Sequence, residues 1–184
     1  MSAPFYILKH EHRIIEQVLR ALEGVCFRLR VQEAVPVTDI VQLVDFISVF
    51  ADGYHHAKEE MYLFPALLKQ GFTGEDGVLG AISHEHKTER DLVQKLLQSI
   101  KDLREEKPHA VRIFTETASR YISHLLGHLR HEDATIFRLA EELIPAEEKD
   151  ALYKDFKRIE DEMGIESVRE YEDLADSLER KWAI

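Results

Sequence analysis

Tyr54-His55-His56-Ala57-Lys58-Glu59-Glu60-Met61-Tyr62-Leu63-Phe64-Pro65 sets a histidine and a glutamate four residues apart, at His55 and Glu59. On a helix, residues at i and i+4 lie one turn apart on the same face, so the two side chains can point at one ion. A second copy stands downstream as His128-Leu129-Arg130-His131-Glu132-Asp133-Ala134-Thr135-Ile136-Phe137. Both fit His-x-x-x-Glu-[Glu/Asp]-x-x-x-Phe, with corresponding positions 73 residues apart. A second motif repeats at a spacing of 74: His10-Glu11-His12-Arg13 returns as His84-Glu85-His86-Lys87. The chain therefore reads as two copies of a helix pair, each bringing one histidine and then one His-x-x-x-Glu.

Composition sets the bounds. At 184 residues the chain is the size of one domain. An apolar content of 45% and a charged content of 32% suit a water-soluble, helix-rich protein. The net charge of −11 argues against nucleic acid or an anionic membrane as partner, because both call for clustered Lys and Arg. Cys26 is the only cysteine, so no intrachain disulfide can form and a reducing compartment is expected. Neither a leader peptide nor a membrane span is legible, and the expected location is the cytoplasm. Nine of the ten histidines fall in four clusters, 10/12, 55/56, 84/86 and 124/128/131. Surface histidines have no reason to gather in this way.

Helical periodicity runs through the whole chain. The first helix is predicted from Phe5 to Val31, with Leu8, His12, Ile15, Leu19, Leu22, Cys26 and Leu29 on its inner line. After a loop containing Pro36, Thr38 is the expected N-cap of a second helix reaching Gln70, which Pro65 should kink near its end. Three glycines within residues 71–77 mark a turn. A third helix is expected over Val78 to Glu105, carrying His86 and Glu89 inward, and a fourth over His109 to Leu143, carrying His124, His128 and Glu132. Pro145 opens an acidic, amphipathic helix to Met163, and another covers Glu166 to Trp182. The expected fold is all-α: an up-down-up-down four-helix bundle over residues 1–145, with residues 146–184 forming two additional C-terminal helices packed on it.

The inner line then gathers His12, His55, Glu59, His86, His128 and Glu132. Burying unpaired carboxylates among imidazoles is costly. Two metal ions would compensate them, with the carboxylates bridging and the neutral imidazoles terminal. The neighbours His56 and Glu60 leave the register of the second helix open by one residue; only 55/59 superposes on 128/132. No His-Glu-x-x-His, no Cys-x-x-Cys, no phosphate-binding glycine loop and no G-x-S-x-G is present. Nor does a glutamate stand three residues before any clustered histidine, as ferritin-like di-iron sites need.

Glu11-His12-Arg13, the segment Ala51 to Leu67, Ile82 to Arg90 and Tyr121 to Phe137 together resemble the hemerythrin-like, or HHE cation-binding, domain over about residues 5–143. The resemblance implies a four-helix bundle holding two iron ions, joined by an oxo or hydroxo bridge. The centre would bind or sense O2 or a related ligand: iron, peroxide or nitric oxide. It implies as ligands the same six residues, with His56, Glu60, His84 and His124 as further candidates. One departure stands out. Oxygen-carrying hemerythrins have a His-x-x-x-His pair on the third helix, whereas here Ile82 and Arg90 flank His86 at four residues. A ligand-poor centre favours reaction over reversible carriage, and His124, one turn above His128, is placed to supply a missing ligand. Binding or sensing is favoured over catalysis. The alternatives are a di-iron enzyme acting on peroxide, nitric oxide or Fe2+, and a zinc-filled or metal-free helical interaction domain. The sequence leaves the oligomeric state open, a homodimer included.

Overall fold

The computed structural model describes residues 1–72 and 77–184. Among them every regular element is a helix. Helix α1 spans Ala3–Arg30. Helix α2 (37–69) is one continuous rod of four windings: α-helical Val37–Phe46, the wider π form over Ile47–His56 and again over Glu59–Leu63, then α-helical Phe64–Lys69. Helix α3 is Val78–Arg104. Helix α4 (110–143) joins Ala110–His131, a π segment Glu132–Ile136, and Phe137–Leu143. Helices α5, Ala146–Met163, and α6, Ile165–Trp182, close the chain. Among the described residues no helix is long and apolar enough to cross a membrane. Of the expected turn at 71–77, residues 73–76 lie outside the described residues.

One sequence expectation changes. Thr38 is not an N-cap: α2 starts at Val37, directly behind Pro36. The Pro36 carbonyl accepts the first helical bonds from Asp39 and Ile40, and the Thr38 hydroxyl donates to the Asp39 carboxylate at 3.3 Å. Helix α2 runs on through Pro65 to Lys69, close to the expected end at Gln70. A proline lacks the N–H that an i→i−4 ladder needs. Here the π winding ends at Leu63, with the Phe64 N–H bonded five residues back to the Glu59 carbonyl. Such a wide turn absorbs the break in the ladder.

Apolar side chains form two cores. One gathers Phe5, Leu8, Leu63, Phe64, Ile82, Ile136 and Phe137; the other gathers Val18, Leu22, Val44, Phe50, Leu96, Phe114 and Leu125 among others. Between them along each of the first four helices falls a polar stretch: His12 on α1, His55 to Glu59 on α2, His86 and Glu89 on α3, His128 to Glu132 on α4. This layer is buried with the cores.

Helix α5 adds Leu152 and Phe156 to the first core, and α6 adds Val168, Ala175, Leu178 and Trp182 to the second. Tyr171 and Leu174 are only partly buried; the Tyr171 hydroxyl donates to Asp45 at 3.0 Å. Helix α6 lies along α1 so closely that a Cβ on Gly24 would meet the Trp182 carbonyl oxygen at 1.8 Å. The Trp182 indole N–H donates to Asp39 at 2.8 Å, and the Arg28 guanidinium lies over its ring, 5.4 Å from the centroid. The obstruction at Gly24 is backbone, so Gly24→Ala must push the end of α6 away. We expect a loss of about 1–3 kcal/mol of stability and a red shift of emission from Trp182, the single tryptophan. Denaturant titration followed by fluorescence checks this; an unchanged midpoint and spectrum would contradict the close docking.

Candidate metal centre

The polar layer brings seven ionisable side chains together, each at most 2% exposed: His12, His55, His56, Glu59, His86, His128 and Glu132. Their ligand atoms fall into two groups, each spanning no more than 4.8 Å: His12, His55, Glu59 and Glu132 in one, His56, Glu59, His86 and His128 in the other. Glu59 belongs to both. Its Oε1 lies 3.7 Å from the His55 Nε2 and its Oε2 3.5 Å from the His86 Nε2. Glu132 spans the layer similarly, with Oε2 3.4 Å from the His12 Nε2 and 3.3 Å from the His128 Nε2, and Oε1 3.9 Å from the His86 Nε2.

The imidazoles are aimed. Each of the five donates its Nδ1–H to a carboxylate outside the layer: His12 to Asp133 at 3.2 Å, His55 to Glu11 at 2.9 Å, His56 to Asp52 at 3.4 Å, His86 to Glu60 at 2.7 Å, and His128 to Glu85 at 2.8 Å. A neutral imidazole has one N–H, so each Nε2 presents a lone pair inward. The His12 and His55 Nε2 atoms face one another at 3.1 Å, and so do those of His86 and His128. All four oxygens of Glu59 and Glu132 lack a hydrogen-bond partner among the described residues. Facing lone pairs beside orphaned buried carboxylates need positive charge between them, and a set of imidazole and carboxylate donors fits a transition-metal ion.

Electrostatics of the bare protein agree. Burial pushes the Glu59 carboxyl well above its usual range, and the nearby Glu132 carboxylate adds to the rise. Burial also opposes ionisation of Glu132, but the surrounding His128, His12 and His86 outweigh it and hold that carboxyl well below. Burial, with neighbouring imidazoles, drives His55 and His56 well below the usual histidine value. For His128, burial is outweighed by Glu132, Glu89 and Glu85, and the ring is raised to about 9. Protons on some rings thus stand where cations would.

Local winding explains the register. Adjacent residues on an α-helix diverge by roughly 100°, so His55 and His56 were read as alternatives. Both are in the layer. The π winding over Ile47–His56 faces the pair inward, His55 toward α1 and His56 toward α3, where it stacks on the His86 ring with centroids 4.0 Å apart. The π segments at Glu59–Leu63 and Glu132–Ile136 are themselves a repeat, offset like the motifs; the one at Ile47–His56 has no partner in the second half, where Leu129 stands opposite His56.

The remaining candidates fall elsewhere. Glu60 reaches the outer nitrogen of His86, not an inner one, and is also bound by Arg90 at 2.8 Å, so it lies outside both groups. His84 is exposed on α3. His124 is partly exposed; its Nε2 lies 3.6 Å from Glu89 and joins neither group. Sequence reasoning did not find the outer carboxylates, although the repeats contain them. Glu11 and Glu85 are the middle letters of the two His-Glu-His motifs, and Glu60 and Asp133 follow the two repeated glutamates. Also unforeseen is Lys58, fully buried between Glu11, with which it forms an ion pair, and the Tyr54 ring, 3.4 Å from its Nζ.

Carboxylates that hold a ligand's far nitrogen typically contribute 10- to 100-fold in metal affinity. Glu60→Gln and Glu85→Gln should therefore each weaken metal binding by about that factor without changing the number of ions bound, while His84→Ala changes nothing. Competition titration with a chromophoric chelator checks this; equal affinities in all three variants would contradict the aiming role.

Comparison with protein families finds a match to the hemerythrin HHE cation-binding domain over residues 3–140. Comparisons with curated proteins and with solved structures return no match. The matched region contains the whole polar layer, all seven inner groups and the five carboxylates that aim the imidazoles, and the chain belongs to the hemerythrin HHE cation-binding domain family.

Proposed function

We propose that the chain holds two iron ions in this layer and uses them to bind or sense O2 or a related small molecule: peroxide, nitric oxide or iron itself. The observation that carries the reading is the pair of facing Nε2 atoms on each side of Glu59, 3.1 Å apart in both cases. Two ions rather than one are supported by the two oxygens of Glu59, which turn to different imidazole pairs. His12 and His55 serve one ion with Glu59 and Glu132. His56, His86 and His128 serve the other with Glu59, and Glu132 lies within reach. Seven mixed imidazole and carboxylate donors exceed what one tetrahedral zinc takes, and the family match supports a cation. Helices α1 to α4 are read as an up-down-up-down bundle over residues 1–145: α1 and α3 enter through the Phe5–Ile82 core, and α2 and α4 through the other. Residues 146–184 form its helical extension. The lone buried Cys26 suits a reducing, cytoplasmic setting.

Bound iron would supply a redox-active Lewis acid with positions open to a small ligand. The protein's part is to hold the imidazoles neutral and aimed, to neutralise the ions with Glu59 and Glu132, and to keep water out. Phe137 packs on the His12 ring and Phe64 on the His86 ring, with centroids 5.1 and 5.8 Å away. The His12–His55 side has two imidazoles against three, so it is the side left to an added ligand. Full burial suits a diatomic or peroxide rather than a bulky substrate. Turnover of peroxide or nitric oxide by iron-loaded protein would shift the reading to an enzyme.

Protein grown with iron should hold close to two ions per chain, and Glu59→Ala and Glu132→Ala should each lose metal. At free metal 1,000-fold above Kd, binding to the folded state alone adds about 4 kcal/mol, worth roughly 8–16 °C in Tm for a chain of this size. Chelation should lower the melting temperature by that order, and acid should weaken binding, because ligation needs neutral imidazoles and ionised carboxylates. Elemental analysis with calorimetry checks these outcomes. A single zinc, or a melting temperature indifferent to chelator, would contradict the di-iron reading.

A further inference from the structure

Glu89 is the one buried carboxylate of the layer that belongs to neither ligand group. It is 2% exposed, and neither of its oxygens has a hydrogen-bond partner among the described residues. It stands between two imidazoles: Oε2 lies 3.5 Å from the His56 Nε2, and Oε1 lies 3.6 Å from the His124 Nε2. Both nitrogens are themselves without a partner. These separations are too long for hydrogen bonds. They are close to those of two atoms on a shared ion, since donors each ~2.1 Å from one metal sit roughly 3–3.4 Å apart.

The three residues form a line rather than a cage. His56 is at the centre, Glu89 is behind it, and His124 is beyond, its side chain 31% exposed. His124 lines a surface cleft with Glu85, Ser123, Gly127 and His128. Of the inner groups only His128 also lines this cleft; His12, His55, His56, Glu59, His86 and Glu132 do not. A cation arriving from solvent meets in this line a sequence of donor atoms without hydrogen-bond partners, of the kind that bind metal: imidazole, carboxylate, imidazole.

We propose that His124 and Glu89 form a transit site for a divalent cation, through which the buried centre is loaded from the cleft and emptied to it. The proposal rests on the di-metal reading of the centre. Because the site lies on the route and not in the loaded state, it sets rates and leaves affinity alone. Passage out uses the same step as passage in, so both rates must fall together when it is lost.

Apo protein mixed with Co2+ in a stopped-flow instrument reports filling of the centre through cobalt's visible absorption, and excess chelator reports release. His124→Ala and the isosteric Glu89→Gln should each slow loading and release by an equal factor, at least about tenfold. The final spectrum, the ions bound per chain and Kd should stay at the wild-type values. His84→Ala, at an exposed histidine of α3 that does not line the cleft, should load at the wild-type rate. Variants that load as fast as wild type overturn the transit site and leave the centre standing. Variants that bind fewer ions, or bind them more weakly, overturn it also, because the pair would then belong to the centre itself. A wild-type protein that takes up no cobalt overturns the di-metal reading and this inference with it.

Discussion

Two imidazole nitrogens facing each other at 3.1 Å, twice over, are the constraint on which this structure turns. In a neutral ring the single N–H is spent on a carboxylate outside, so each of these nitrogens turns inward as a lone pair unless it takes up a proton or an ion. Nothing apolar can relieve that arrangement, and its four imidazoles are each at most 2% exposed. The helices are therefore assembled around a place for positive charge. Their windings, their small deviations from α-helical register and the acidic residues on their outer flanks all follow from holding that place open to a cation and closed to solvent.

The outer carboxylates show how the two halves of the chain interlock. Glu11, on α1, aims His55 on α2, and its repeat Glu85, on α3, aims His128 on α4. Glu60, on α2, aims His86 on α3, and its repeat Asp133, on α4, aims His12 on α1. Each helix thus orients a ligand on a neighbour, so the ligand geometry closes only when all four have docked. The asymmetry lies in His56 and Asp52, which have no counterpart in the second half. That extra imidazole makes one side of the layer richer in nitrogen than the other, and it faces Glu89.

Much of this was legible in the sequence. The inner positions of His12, His55, Glu59, His86, His128 and Glu132 follow from a helical period and an internal repeat, two signals that do not depend on tertiary detail. His56 was legible only as a rival to His55, because adjacent residues on a regular α-helix diverge widely; the wider π winding narrows that angle, and nothing in the residue types of Ile47–His56 announces it. Glu11, Glu85 and Asp133 were visible as repeated letters without a role and Glu60 only as a rival ligand to Glu59, since a helical wheel tells which side a residue is on but not which neighbouring ring it reaches. His124 shares a face with His128 by spacing, yet at its level α4 meets Glu89 rather than the ligands. Thr38 was read by its capping chemistry, whereas Pro36 had already set where α2 begins.

The most direct test of the centre is anomalous diffraction at the iron edge from crystals of iron-loaded protein. The structure leads us to expect two peaks per chain, one ~2 Å from the Nε2 atoms of His12 and His55 and the other at a similar distance from those of His56, His86 and His128, with Glu59 touching both and every Nδ1 still bonded to its carboxylate. A single peak, or an ion held through Nδ1 with the outer carboxylates displaced, would contradict it.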